Sequence, residues 1–346
     1  MSTVKLVLWN VEWMNDLFVS NAGPAAFRAD DAHPIHNPEA TVRQRRDDLS
    51  GVLKELAPDI VVVAEGPSRT EELQLFFDVD VQPGVWKAQI QPSRGQSQNL
   101  GVAVRTDQNK FQATPLQFHD TSNMDEFGSF VADVDDDGIN EEYHFERRPL
   151  YVEIFPVDGK AFRILGLHLK SKGIFTAYEW SKWWQIADAN RRKILAQASR
   201  LRLKFLDPYL RNAETKDIPL IVCGDINDGP GLDASEKRLF GSGVERLMGS
   251  IWNPDLCLGN ALFDTLDRED QENLNFGAVV TTSFQDPIFN RTWQREWIDH
   301  ILYSRCVDPI FVSGGQVHEK MNDGRMIWEK YKHASDHYPL SILATT

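Results

Sequence analysis

The sequence predicts an α+β fold in which two packed, mainly antiparallel sheets are flanked by helices. Apolar, β-branched runs bounded by turn residues recur along the whole chain, whereas only two segments carry helical spacing. Most of these runs are not each followed by a helix. That argues against a repeated βαβ barrel and for sheets with helices outside them.

The elements follow in order. An apolar run at 4–9 opens the chain. Residues 41–57 place Leu49, Val52, Leu53 and Leu56 on one helical face, and Pro58 closes that helix because it cannot extend the ladder. Strand-like runs then occupy 60–64, 100–104, 150–156 and 162–169. A second helix over 177–206 sets Ile186, Ile194, Leu195, Leu201 and Leu203 among many basic residues. Runs at 218–223, 297–303 and 338–343 complete the set. With no internal repeat, low-complexity tract or long linker, residues 1–346 are expected to form a single domain.

Composition narrows the function classes. The chain has 346 residues, 42% apolar and 25% charged, which is ordinary globular usage. Its formal charge is −14. Proteins that grip nucleic acid by neutralising phosphates usually show a basic face, so tight binding here needs a local patch. Carboxylate-rich sites for divalent cations also make a chain acidic, so a phosphate substrate stays compatible with this charge. The opening MSTVKLVLWN lacks the apolar core and cleavage site of a signal peptide. No apolar run reaches the length of a membrane span. The expectation is a soluble, cytoplasmic protein that acts as a monomer without a membrane partner. Cys223, Cys257 and Cys306 are odd in number and widely spaced, against a disulfide framework or a CxxC metal site. Cys223, inside PLIVCGD, reads as a buried, inert thiol.

The candidate chemistry lies where the runs end. Asn10, Glu65, His168 and Asp225 close four of them, while Asp299 and the pair Asp336–His337 stand at the start of two others. Antiparallel neighbours bring the end of one strand beside the start of the next, so all these positions can share one rim.

Gly224-Asp225-Ile226-Asn227-Asp228-Gly229-Pro230 follows an apolar run. On an extended segment, side chains at i and i+2 point the same way. Asp225 could then take a proton from water or hold a metal's water, while Asn227 donates to a phosphate oxygen. A plain turn competes, since these residues are turn formers. Asp336–His337, with Asp299 from Trp297-Ile298-Asp299-His300, offers an imidazole and the carboxylate that would orient it. The bland alternative is a surface Asp and a core-edge His. Glu65 suits a hard cation such as Mg²⁺, which takes oxygen donors, with Asn10 orienting it; capping roles compete. Glu12 is a rival carboxylate on the same side of an extended strand. His168-Leu169-Lys170-Ser171-Lys172 sets an imidazole and ammonium groups where they could neutralise a phosphoryl group, although both lysines also read as solvated.

Taken in order, LWNVEW, VVVAEG, LGLHLKSK, CGDINDGPG, WIDHILYS and ASDHYPL resemble the endonuclease/exonuclease/phosphatase superfamily, the DNase I-like proteins. That superfamily includes apurinic endonucleases, sphingomyelinases and inositol-polyphosphate phosphatases. The resemblance runs from residue 8 to residue 340. It implies a four-layered α/β sandwich and Mg²⁺ chemistry, with Mn²⁺ as a substitute. It also implies Glu65 as the principal metal ligand, with Asn10 and Asp336 close by. Asp225 would position or deprotonate the attacking water and Asn227 would hold the phosphate. His337, oriented by Asp299, would be a general acid/base or stabilise the pentacovalent state, and His168 would contact the scissile phosphate. The roles of Asp225 and His337 can be exchanged. The implied substrate is a phosphodiester, first of all DNA or RNA. A phosphomonoester or a sphingomyelinase-like phospholipid substrate is the alternative. Two departures stand out: Ala64 precedes Glu65 where the family often has Gln, and Val11-Glu12-Trp13 replaces the glycine-bearing turn of apurinic endonucleases.

Two further features have a reading. Asp133-Val134-Asp135-Asp136-Asp137-Gly138 begins like a Ca²⁺ loop, but His144 stands at its twelfth position, so a solvated acidic hairpin tip is expected. In the aromatic stretch 174–184, Trp180 and Trp184 are expected to pack the second helix onto a sheet. Trp183 is expected to be an exposed substrate contact.

Overall fold

A computed structural model describes residues 3–20, 23–95, 97–174, 180–230, 234–273, 275–285, 292–305 and 311–346. The chain lays down β1 (Thr3–Asn10), β2 (Ile60–Gly66), β3 (Trp86–Gln91), β4 (Asn99–Arg105) and β5 (Phe111–His119). A small hairpin, β6 (Phe130–Ala132) and β7 (Glu141–Tyr143), precedes β8 (Leu150–Pro156), β9 (Phe162–His168), β10 (Leu220–Asp225) and β11 (Leu258–Asn260). A second hairpin, β12 (Thr282–Gln285) and β13 (Trp293–Glu296), precedes β14 (Asp299–Ser304), β15 (Val312–Val317) and β16 (Leu340–Thr345).

Among the described residues two six-stranded sheets form, β15-β16-β1-β2-β4-β3 and β11-β14-β10-β9-β8-β5. Each is antiparallel except for one central parallel pair, β1–β2 in the first and β9–β10 in the second. A parallel pair needs a crossover connection. Helix α1 (Val42–Leu56) supplies it between β1 and β2, and helix α3 (Trp183–Leu201) lies between β9 and β10. A shorter helix, α2 (Thr70–Phe76), follows β2.

The layers follow from strand alternation. In β1, Val4, Leu6 and Leu8 face the second sheet, joining Ile60 and Val62 of β2 and Ile164, Ile221 and Cys223 opposite. Val7 and Trp9 point outward to α1 and α2, meeting Leu49, Val52, Leu53 and Phe76. On the far side Leu165, Leu167, Leu220 and Val222 pack on Ile194, Ala198 and Leu201 of α3. Both faces of each central strand are buried, which is why those runs are apolar without alternation. Helix, sheet, sheet and helix make the four layers that the resemblance implied.

Helix α1 starts at a capping box. Thr41 Oγ1 accepts from the Gln44 N–H at 3.2 Å, and Gln44 Oε1 accepts from the Thr41 N–H at 2.8 Å. The second helical segment differs from its expected span. It resolves into a 3₁₀ turn (Trp180–Lys182), α3 and a π turn (Arg202–Leu206), with 175–179 outside the described residues. Leu203 is exposed, because the buried face runs through Ile194, Ala198, Leu201 and Phe205. Trp184, expected in the core, is 48% exposed. The first turns of α3 lie against the short helix Ala234–Leu239, where the Arg238 guanidinium covers the Trp184 ring at 4.9 Å and pairs with Asp188 at 2.8 Å. Trp183 is half-buried, and the Trp180 side chain lies outside the described residues.

The acidic loop is a hairpin tip between β6 and β7, as expected. Asp133 accepts from the Gly138 N–H at 2.9 Å, and Arg192 of α3 reaches Asp135 at 3.2 Å.

Candidate active site

The two parallel pairs end on the same rim. β1 and β2 deliver Asn10 and Glu65, and β9 and β10 deliver His168 and Asp225. Their antiparallel neighbours begin there: Asp299 opens β14 and pairs in register with Asp225, while Asp336–His337 lead into β16. The rim expected from strand ends therefore assembles.

The two sheets are joined by hydrogen bonds. Asn10 Nδ2 donates to Asp225 Oδ2 at 3.0 Å, lies 3.4 Å from Glu65 Oε1 and 3.5 Å from His337 Nε2. His337 Nδ1 meets Asp299 Oδ2 at 2.8 Å. Because a carboxylate only accepts, that bond fixes Nδ1–H and leaves Nε2 facing Asn10 and Asp225. The Trp9 indole N–H holds the His337 carbonyl at 3.0 Å, and Ser335 Oγ donates to the Asn10 carbonyl at 2.8 Å.

Local backbone aims these groups. Gly224 has φ +156°, and a Cβ there would lie 1.8 Å from the Leu167 carbonyl oxygen, so only glycine lets β10 approach β9 so closely. Asn227 is not on an extended segment as expected. Its φ is +57°, its N–H donates to Asp225 Oδ1 at 2.9 Å, and its Nδ2 donates to the Leu169 carbonyl at 3.3 Å. The segment is thus both a turn and part of the site. Below it, Asp228 is buried in an ion pair with Arg191 of α3, and its carbonyl meets His300 Nε2 at 2.9 Å. Glu12 does not continue a strand either. Glu12 and Trp13 are left-handed at φ +50° and +51°, and Glu65 at +56°. The Trp13 N–H reaches Glu65 Oε2 at 2.9 Å, and the Glu12 N–H takes Asn10 Oδ1 at 3.0 Å.

Two arginines that sequence reasoning passed over complete the site. Arg45 of α1 is buried and ties the two loops of the first sheet together, donating to the carbonyls of Val11 (2.8 Å), Glu12 (2.7 Å) and Ala334 (3.2 Å). Arg147 precedes β8 and donates to His168 Nε2 at 2.7 Å and to the Leu169 carbonyl at 3.3 Å. Its signal was present. Arg147-Arg148 stands just before an apolar run, the same relation to a strand that marked Asp336–His337.

Charge at the site is unbalanced. Burial, then the Asp299 and Glu65 carboxylates, push Asp225 up to about 7 against the opposing pull of His337. Burial and Asp336 push Glu12 up to about 7, opposed by Arg45. Desolvation raises Asp336 as well, with Glu65 and Asp299 adding and His337 opposing. Burial works against the His337 imidazolium, but Asp299, by charge and hydrogen bond, and then Asp336 and Asp225 hold its pKa well above the usual value. His168 goes the other way: burial, then Arg147 and His337, drive it well below. Lys170 is lowered by burial, with Arg147 and Lys193 adding and Glu146, which pairs with Lys193 at 3.5 Å, opposing.

An excess of carboxylate pushed toward protonation is the environment a hard divalent cation relieves, and the donors are oxygens. Asp225, Asp299 and His337 offer ligand atoms within 4.8 Å of one another, but His337 and Asp299 are already bonded to each other. Asn10 gives its oxygen to the Glu12 N–H. Of the three ligands expected, Glu65 accepts from the Trp13 N–H at 2.9 Å and lies 3.4 Å from Asn10 Nδ2, while an Asp336 oxygen lies 3.9 Å from His337 Nε2. Lys172, in contrast, pairs with Glu296 at 2.6 Å.

The sequence matches the endonuclease/exonuclease/phosphatase family over residues 7–337. The chain belongs to that family. Its members are hydrolases of phosphoester bonds, generally dependent on a divalent metal. No curated protein matches the sequence. Among solved structures, truncated TDP2 of Caenorhabditis elegans is 12% identical with a TM-score of 0.51, covering 99% of this chain and 98% of that one. An endonuclease/exonuclease/phosphatase family protein of Bacteroides thetaiotaomicron is 14% identical with a TM-score of 0.50, covering 99% and 94%. The human Nocturnin catalytic domain with bound sulfate is 15% identical with a TM-score of 0.49, covering 99% and 94%. At these identities the likeness concerns the fold.

Proposed function

We propose that this protein is a Mg²⁺-dependent phosphodiesterase, with Mn²⁺ as a substitute, that cleaves DNA or RNA as a cytoplasmic monomer. The observation that carries the reading is the meeting of Asn10, Asp225 and His337 from two sheets, with the His337–Asp299 bond at 2.8 Å. The free thiols Cys223 and Cys257 are in keeping with a reducing compartment. Among the described residues no helix is long and apolar enough to cross a membrane.

A cation held by Glu65 and Asp336 would polarise the phosphoryl group and neutralise its growing charge. Asp225, with one oxygen fixed by Asn10 and the other by the Asn227 N–H, is placed to take the proton of an in-line water. As the water oxygen bonds to phosphorus, the P–O bond to the leaving group breaks. His337, kept as an imidazolium beside Asp299, hands its Nε2 proton to that departing oxygen. Arg147 and Lys170 offer positive charge to the non-bridging oxygens. Donation by Arg147 makes His168 Nε2 the acceptor, so the proton sits on Nδ1, which is buried with no protein partner among the described residues. The ring edge that faces the site is Nε2, 3.5 Å from Asp225 and 3.9 Å from Glu65, so His168 would act on the phosphate by holding the Arg147 guanidinium toward it. Arg147 and Lys170 would also give an acidic chain local positive charge for a nucleic-acid backbone.

The test offers plasmid, single-stranded DNA, RNA, a diester reporter and a monoester reporter to the purified protein with Mg²⁺, Mn²⁺ or EDTA. Cleavage of nucleic acid that is lost with EDTA and in Asp225→Asn is expected. Activity indifferent to both contradicts the mechanism, and monoester-only turnover moves the reading to a phosphatase.

A further inference from the structure

Beside Glu65 lies an aromatic surface that the hydrolytic chemistry does not use. The rings of Trp13 and His36 are stacked with centroids 3.6 Å apart and planes 7° from parallel. The stack is fixed from both sides. The Trp13 N–H donates to Glu65 Oε2 at 2.9 Å, so the indole stands on the residue that contacts the proposed metal ligand. The buried Asp16 carboxylate holds the His36 N–H and Nδ1, each at 2.9 Å. The His36 side chain nevertheless stays 38% exposed, and the neighbouring Ile35 is 73% exposed.

A stack needed only to close the loop would be covered. This one leaves imidazole and an apolar neighbour open to solvent while hydrogen bonds hold the His36 ring and the Trp13 backbone. Two successive left-handed non-glycine residues, Glu12 and Trp13, carry the chain through that arrangement, a backbone conformation that L side chains rarely adopt. Rigid, half-open aromatic faces beside a phosphate site suit a planar heteroaromatic ring, because every nucleobase has a π-face to stack.

We propose that Trp13 and His36 form a stacking platform for a nucleobase of the substrate next to the scissile phosphate. The inference rests on the phosphodiesterase reading above and gives its substrate class: phosphoesters carrying a base, not bare phosphates or lipid headgroups. The base lies over the exposed His36 ring, and Trp13 couples that position to Glu65 through its backbone.

The probes are AMP and ribose 5-phosphate, titrated in Mg²⁺ against full-length protein with tryptophan fluorescence as readout. The wild type is expected to bind AMP about tenfold more tightly, the size of one stacked base. His36→Ala is expected to remove most of that preference and His36→Phe to keep it, with thermal melting confirming that both fold. Equal binding of the two ligands by the wild type, or an undiminished preference in His36→Ala, overturns the platform. A wild type that prefers AMP yet cleaves no oligonucleotide supports the platform and sinks the nuclease reading.

Discussion

His168 and His337 stand at the same rim on opposite sheets, both buried, and the protein drives their charges in opposite directions. His337 faces Asp299 at 2.8 Å, whereas His168 faces the Arg147 guanidinium at 2.7 Å. His168 Nε2 also lies 3.5 Å from Asp225 and 3.9 Å from Glu65, so depth and nearby carboxylate are shared and the directly bonded partner differs. A carboxylate overrides desolvation and makes one ring a cation; a guanidinium adds to desolvation and keeps the other neutral. On the proposed mechanism, the first sheet would then supply the proton donor and the second the groups that bind phosphate.

Substitutions can break this division. The largest effect is expected at Asp225, whose carboxylate serves both halves: Asp225→Asn should lower kcat about 10³–10⁴-fold, measured on a diester reporter. Next comes the carboxylate that distinguishes the two histidines. Asp299→Asn should cost about 10²–10³-fold in kcat with little change in KM, because the imidazole loses its orientation and its counter-charge. A loss confined to KM would show that Asp299 only shapes binding.

Arg147→Gln removes the charge that sets His168 apart. A loss of about 10–100-fold in kcat/KM is expected, since one charge-assisted contact to phosphate goes. Retention of full activity would leave Arg147 with a packing role alone.

The smallest effect sharpens the comparison through a third histidine, outside the proposed catalytic set. His318 is buried and bonded to Ser341 Oγ at 2.8 Å; burial, with Lys5 adding, lowers its pKa to about 4. The folded state therefore binds its proton less readily than the unfolded state. Stability should fall as pH drops from about 6.5 toward 4, by about 2–3 kcal/mol at most. Denaturant titrations across that window should show His318→Gln flattening the loss. An unchanged slope would mean that burial alone does not set the charge of these rings.

Much of this was legible in the sequence. Strand ends named Asn10, Glu65, His168 and Asp225, and strand starts named Asp299 and His337, because register forces those positions onto one edge. Two packed sheets flanked by helices could be expected because most strand-like runs lack a helix after them, and the four layers followed from the family resemblance. What escaped was information held in three dimensions. Arg45 and Arg147 look like ordinary surface arginines until the fold buries one against three carbonyls and sets the other on His168. The left-handed backbones of Glu12, Trp13 and Asn227 carry no glycine to announce them. Trp184 obeys the helical spacing of a core residue, yet the first turns of α3 lie against a short helix and leave it half-exposed.

The central claim is that carboxylate and imidazole from different sheets act as one catalytic unit on a phosphodiester. A double-mutant cycle of Asp299→Asn and His337→Gln, read as kcat on a diester reporter in saturating Mg²⁺, tests it most directly. If the pair is one unit, the double variant should fall within about threefold of the weaker single variant, since either change already disables it. Losses that multiply would show two independent residues and contradict the account.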